Sequence, residues 1–308
     1  MMNNYFLRKI ISSILVLLIV ISATFLLLRI LPGGPFESDK KLPPQIKINI
    51  EKKYKLNEPL YVQYFDYMKN TLKFKLGPSY SYPGKSVNQI ISQTFPISLK
   101  VGILSLIFTI LSSICLSKYL YNNKNSIGAK IINNFIYLSV GTPTFLIGAL
   151  LIIIFAVKYP IFPAALLAKP SSYVLPILTL SIPSISFLSK LMLESMYEVE
   201  ETFYYRNARI NNIKDKLLLK YYVIKNSLIP FVTAIGPISA FMITGSFVVE
   251  SIFSIPGMGK MFVLAITNRD YPIVCGITII YSIALLTINM IIDFTYPLID
   301  RRIKYQWI

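Results

Sequence analysis

The sequence contains no histidine and only two cysteines, and its acids number 14 against 31 lysines and arginines. Each shortage excludes something. Without histidine the chain lacks the commonest general base and the commonest metal ligand. Cys115 and Cys275 both sit inside apolar stretches, without CxxC or metal-ligand spacing, so they read as thiols buried among lipid-embedded helices. Charge of either sign is scarce, at 15% of residues, where an average soluble domain carries about 25%.

What stands in place of charge is hydrocarbon: 54% of the 308 residues are hydrophobic and the mean hydropathy is +0.59. The surplus is gathered into blocks, and a helix needs roughly 20 apolar residues to cross a bilayer core. The first block, 10–30, follows Arg8 and Lys9. It is too long for a cleaved signal and no small-residue cleavage site follows, so it reads as a retained span. Leu31-Pro32-Gly33-Gly34-Pro35 ends it, since prolines and glycines cannot continue a helix. Five further spans are expected at about 97–117, 131–157, 173–193, 231–253 and 273–298. The third is long and is expected to tilt or break at Gly141-Thr142-Pro143. The fold class is therefore all-α, a polytopic membrane protein with about six transmembrane helices.

Residues 36–95 form the long polar region, in which residues 59–68 can make a short amphipathic helix near the membrane surface. Alternating sides from a cytoplasmic N-terminus places Lys118, Lys124 and Lys130 inside, then the basic loop 194–230, then Arg301, Arg302 and Lys304. Short cytoplasmic loops are enriched in Lys and Arg, so N- and C-termini are both expected in the cytoplasm, with 36–95 outside. The net charge of +17 is accounted for by this topology. A nucleic-acid partner is not indicated, since no soluble face remains to carry a basic and aromatic patch.

The loop 194–230 is the informative one. It contains Tyr205-Arg206-Asn207-Ala208-Arg209-Ile210-Asn211-Asn212-Ile213, and then a helical pattern of Ile213, Leu217, Tyr221, Ile224 and Leu228 with lysines on the other face. A solvated surface element and a docking element for a soluble partner both fit such a helix–turn–helix. Ala208-Arg209-x-x-Asn212, followed thirteen residues on by Lys225-Asn226-Ser227-Leu228-Ile229-Pro230, resembles the cytoplasmic "EAA" loop of ABC importer permeases, in the version of their dipeptide/oligopeptide branch. Asn212 stands where the family has glycine, and Asn is the next most tolerant residue of a positive φ.

The resemblance covers essentially the whole chain. It includes Leu28 to Phe36, Leu42-Pro43-Pro44, Lys53 to Leu60, Gly77-Pro78-Ser79-Tyr80, Gly245 to Gly259, Asn268 to Pro272 and Asp300 to Tyr305, where Arg301 replaces the family's proline. The outer segments are similar to peptide-specific permeases rather than nickel or general dipeptide ones. The resemblance implies a type I ABC importer permease fold and a non-catalytic subunit with no cofactor or metal. It implies as partners a second homologous permease, two cytoplasmic ABC ATPases, an extracytoplasmic oligopeptide-binding protein and membrane lipids, in a bacterial cytoplasmic (inner) membrane. It divides the chain into residues 1–95, a first helix with a long external loop, and a permease core at 96–308 that carries the ATPase-coupling loop. There Ala208 would admit close approach of the ATPase and Arg209 would pair with a carboxylate or cap a carbonyl, while Ile213, Leu217 and Tyr221 hold the next helix to the bundle. The same architecture importing dipeptides, nickel or glutathione is the nearest alternative. An ion channel or secondary transporter would show inverted repeats or several midplane charges, which are not evident, and a scaffold would leave the loop motif unexplained.

Two nucleotide-motif fragments read as turns. Gly84-Lys85-Ser86 has Ser79 where a Walker A loop begins with glycine, and Gly257-x-Gly259 lacks a third glycine. Glu250 and Asp293 lie in or at the ends of spans, where a charge is costly and faces either a pathway or a partner. Lys100 is expected to snorkel outward.

Overall fold

The structure, a computed structural model, describes residues 2–30 and 57–299 of the chain. The segments 31–36, 42–44, 53–56 and 300–305 singled out above lie outside the described residues, wholly or in their greater part. Among the described residues the elements are helices: α1 Met2–Ile30, α2 Leu60–Thr71, α3 Val87–Asn122, α4 Ile127–Gly141, α5 Thr144–Ile152, α6 Val174–Glu201, α7 Phe203–Ile210, α8 Lys225–Thr244, α9 Phe247–Ile252, α10 Met258–Thr267 and α11 Tyr271–Ile299. Five helices are long and apolar enough to span a membrane, and six if α4 and α5, bent by 117°, count as one. The bend falls at Thr142-Pro143: Thr142 is extended (φ −88, ψ 127) as a residue before proline tends to be, and Pro143 has no N–H to give the preceding turn.

The spans overrun their expected limits because polar residues extend the helices beyond the lipid. Helix α3 starts ten residues early, where the Ser86 hydroxyl accepts from the Gln89 N–H and the Gln89 side chain accepts from the Ser86 N–H. The Gly84-Lys85-Ser86 fragment is thus a turn (Gly84 φ +80) leading into a helix cap. At 36 residues, α3 is about 54 Å long, well beyond the hydrocarbon. The expected span 231–253 instead ends at Thr244, where Gly245 turns the chain with φ +89 before α9.

Helix α3 is the centre of the bundle, packed on α6 and α8. Its buried face carries Thr94, Ser98, Gly102, Ser105, Thr109, Ser113 and Ser117 at helical spacing, and small residues let backbones approach. Hydroxyls then join the helices: Ser117 donates to the Ser189 carbonyl at 3.0 Å and Ser181 to the Ser105 carbonyl at 3.1 Å. At Gly102 a Cβ would stand 2.3 Å from the Met242 carbonyl oxygen of α8, so only glycine permits that crossing. Helix α1 packs on α11 at the edge. The amphipathic α2 docks on the C-terminal half of α1 through a 2.6 Å hydrogen bond between the Ser22 and Tyr64 hydroxyls and a Phe25–Tyr67 stack at 5.3 Å. Burial pushes the Tyr67 phenol above its ordinary range, and it remains neutral. Lys100 lies over the Tyr173 ring, 4.6 Å from its centroid.

Candidate functional site: the α6–α8 connection

The loop 194–230 is almost wholly helical. Helix α6 continues to Glu201, Thr202 breaks it with an extended backbone (φ −73, ψ 148), and α7 follows at once. Its end is a Schellman motif: the Ile213 N–H donates to the Ala208 carbonyl at 3.2 Å and the Asn212 N–H to the Arg209 carbonyl at 3.1 Å. Asn212 takes the left-handed position with φ 56, as its substitution for glycine requires. A short turn, Asp215–Leu217, and a π-helical stretch, Leu218–Ile224, then run without interruption into α8.

The structure divides the nine loop residues by face. Tyr205 and Ala208 are buried against Met192, Met196, Val199, Leu218 and Val223, and Ile213 packs beside them. Phe203 (85% exposed) and Ile210 (77%) point away from the bundle, and Arg206, Asn207, Arg209, Asn211 and Asn212 are exposed. Ala208 is therefore small because its own core is close behind it, and the surface open to a partner is built on Phe203, Arg206, Asn207 and Ile210. The register expected for the next helix also shifts. Leu217 and Tyr221 are exposed at 43% and 55%, while Leu218, Val223 and Ser227 are buried. The π-helical turns are wider than the assumed period of 3.6, so successive side chains rotate to a different face.

Behind α7 opens a cleft of about 700 Å³, between the ends of α3 and α6 on one side and the 215–224 segment on the other. Arg209 lines it, alongside Lys118, Lys124, Lys216 and Lys220, with Glu200 and Asp215 as its carboxylates. Glu200 is already engaged, accepting from the Tyr121 hydroxyl at 2.5 Å.

The two span charges prove to be held by partners. Glu250, 4% exposed, accepts from the Ser98 hydroxyl at 2.6 Å and the Lys260 N–H at 2.7 Å, and the same Ser98 oxygen accepts from the Met258 N–H at 2.8 Å. Gly257 makes room for it: a Cβ there would lie 2.3 Å from the Glu250 carboxyl carbon. The Gly257-x-Gly259 pair is thus the seat of a buried carboxylate that fastens α9 and α10 to α3. Asp293 of α11 forms an ion pair with Lys9 of α1.

Sequence reasoning missed a third carboxylate. Asp270, fully buried, accepts from the Ser79 hydroxyl at 2.5 Å and the N–H groups of Tyr80 and Ser81 at 3.0 and 2.8 Å, and also receives the Ile273 N–H at the start of α11. It ties the segment after α2 to the last span. The signal available was the pairing of Gly77-Pro78-Ser79-Tyr80 with Asn268-Arg269-Asp270-Tyr271-Pro272, two polar strings far apart in sequence.

Long apolar helices around α3, with a short amphipathic helix between α6 and α8 at one end, define the class as a multi-pass helical membrane protein. The fold is shared with a solved structure titled "Crystal structure of an amino acid ABC transporter with histidines", at 16% identity and a TM-score of 0.51 over 67% of this chain and 92% of that one. Residues 109–305 match the family described as "Binding-protein-dependent transport system inner membrane component", and residues 2–102 match its N-terminal companion. The chain is 34% identical over 306 residues to the oligopeptide transport system permease protein OppB of Haemophilus influenzae, covering 99% of this chain and 100% of the relative. It is 33% identical over 303 residues to the dipeptide transport system permease protein DppB of Bacillus subtilis, covering 98% of each. The chain belongs to the family of binding-protein-dependent transport system inner membrane components.

Proposed function

We propose that this chain is a permease subunit of an ATP-driven importer and that its cargo is peptides. The observation that carries the reading is end-to-end similarity to oligopeptide and dipeptide permeases at 34% and 33% identity. Peptides are the class those two names share. The narrower reading, oligopeptides, rests on the outer segments around Pro43-Pro44 and Gly77-Pro78. A second permease completes the pathway, two cytoplasmic ATPases hydrolyse ATP, and an external peptide-binding protein delivers substrate. The subunit itself carries no chemistry, and it sits in a bacterial cytoplasmic membrane with both termini inside. A division near residue 95 into an accessory part and a permease core belongs to the same reading; the two family matches, 2–102 and 109–305, meet inside α3.

Coupling is assigned to α7. A stiff element wedged into an ATPase cleft must be continuous with the spans, and α7 is separated from α6 by Thr202 alone and anchored inward by Tyr205 and Ala208. Ile210→Asp tests this, since it alters the outer face and leaves the core alone. An unpaired charge desolvated at an interface costs several kcal/mol, enough to weaken association at least about a hundredfold. The variant should reach the membrane yet fail to co-purify ATPase or import peptide; normal co-purification and import would remove α7 from the coupling role. Cargo is tested separately: cells lacking the gene, with no second importer, should resist a toxic peptide, and unchanged sensitivity would exclude peptides.

A further inference from the structure

We propose that the basic cleft behind α7 binds a phosphate-bearing anion and thereby ties the coupling helix to the bundle. The placement rests on the permease reading; the binding does not. Five cations face the cleft, Lys118 and Lys124 from the end of α3 and its following loop, Arg209 from α7, and Lys216 and Lys220 from the segment leading into α8. Two carboxylates, Glu200 and Asp215, share the lining and leave the five cations in excess; among the described residues none of the five forms an ion pair, the pairs present being Lys9–Asp293 and Lys190–Glu194. Like charges gathered around a concavity repel one another, and an anion bridging them relieves that repulsion. The volume, about 700 Å³, accommodates a glycerophosphate-sized group with its water.

Position favours a small anion over the ATPase. The outer face of α7, with Phe203 and Ile210, is turned away from the bundle, whereas the cleft lies behind it against Tyr121 and Tyr205. It opens at the ends of α3 and α6, two helices long and apolar enough to span a membrane, and basic groups just beyond a span attract anionic headgroups. Because the cations come from three separate elements, one bound phosphate would bridge α3, α7 and the lead-in to α8. That makes anion occupancy a brace on the element that transmits ATPase closure.

The test uses the complete importer, the chain with its second permease and ATPases, in nanodiscs of phosphatidylcholine with or without phosphatidylglycerol. Native mass spectrometry counts retained lipid. Lys124→Glu/Lys216→Glu reverses two cleft charges on exposed positions, Lys124→Gln/Lys216→Gln is a milder pair, and Lys130→Glu is a control outside the cleft. Wild type and the control should retain phosphatidylglycerol, and the charge-reversed pair should lose it at least about tenfold. Displacement by millimolar inorganic phosphate would assign the site to a free phosphate, and resistance to displacement would assign it to the headgroup; either outcome upholds the site. Equal retention by wild type and both cleft variants overturns it. So does a variant that keeps lipid but sheds ATPase, which would give these cations to the ATPase interface. Lipid held by a wild-type complex that, moved to proteoliposomes, imports no peptide would instead sink the transport reading and leave the anion site standing.

Discussion

Asn212 sets the turn that closes α7, and its φ of 56 carries a cost that glycine would not. Asn212→Gly should hold or raise thermal stability by up to about 1 kcal/mol, whereas the β-branched Asn212→Val should lower it by about 1–3 kcal/mol, read as opposite displacements of the melting curve in detergent. A comparable constraint operates at Gly257, where the Glu250 carboxylate occupies the place of a side chain. Gly257→Ala should destabilise by about 1–3 kcal/mol through overpacking. Glu250→Ala should also destabilise, since the Ser98 hydroxyl and the Lys260 N–H lose their acceptor. The double variant should cost less than the sum, because removing the carboxylate removes the clash; strict additivity would mean the two do not share a space. Of these details the sequence disclosed the glycine-like demand on residue 212 and the oddity of a charge at 250. The partners of Glu250 were not legible, because Ser98 lies 152 positions away and nothing local marks it.

At the scale of elements, legibility followed periodicity and failed where periodicity changed. The α4–α5 break was visible in Gly141-Thr142-Pro143, because proline acts through its own backbone and needs no distant partner. The face of the lead-in to α8 was not visible, because a period of 3.6 was applied to a stretch that is π-helical from Leu218 to Ile224. The difference is measurable. Leu218→Ala removes a side chain 2% exposed and should cost about 2–4 kcal/mol. Leu217→Ala, at 43% exposure, should stay within about 0.5 kcal/mol. Thermal unfolding of the purified variants separates the two registers, and the reverse order of effects would restore the regular helix. Helix ends were misjudged for another reason: α3 and α6 run beyond the hydrocarbon on polar residues, and block length measures only the apolar part.

For the whole molecule, the spans were legible because lipid imposes a length on each; their arrangement was not, since the small residues that line α3 are set apart only by the face they bury. Orientation is a matter of charge. Helix α3 has the segment fastened by Asp270 at its start and the basic cleft at its end, so these two features mark opposite ends of the bundle. The cleft end carries Lys118, Lys124, Lys130, Arg206, Arg209, Lys214, Lys216, Lys220 and Lys225, at span ends or in short connections, while the short connections of the other end carry Lys158, Lys169, Lys260 and Arg269. Short loops are the ones whose Lys and Arg decide orientation, and long loops translocate largely regardless of charge, so Lys69, Lys73, Lys75 and Lys85 do not weigh against an external position. The cleft end should therefore face the cytoplasm. In a background of Cys115→Ser and Cys275→Ala, single Lys73→Cys and Asn211→Cys variants place one exposed thiol at each end. A membrane-impermeant maleimide applied to intact cells should label Lys73→Cys, and should reach Asn211→Cys only after the membrane is opened. Labelling of Asn211→Cys in intact cells, with Lys73→Cys protected, would invert the molecule and detach α7 from any cytoplasmic ATPase.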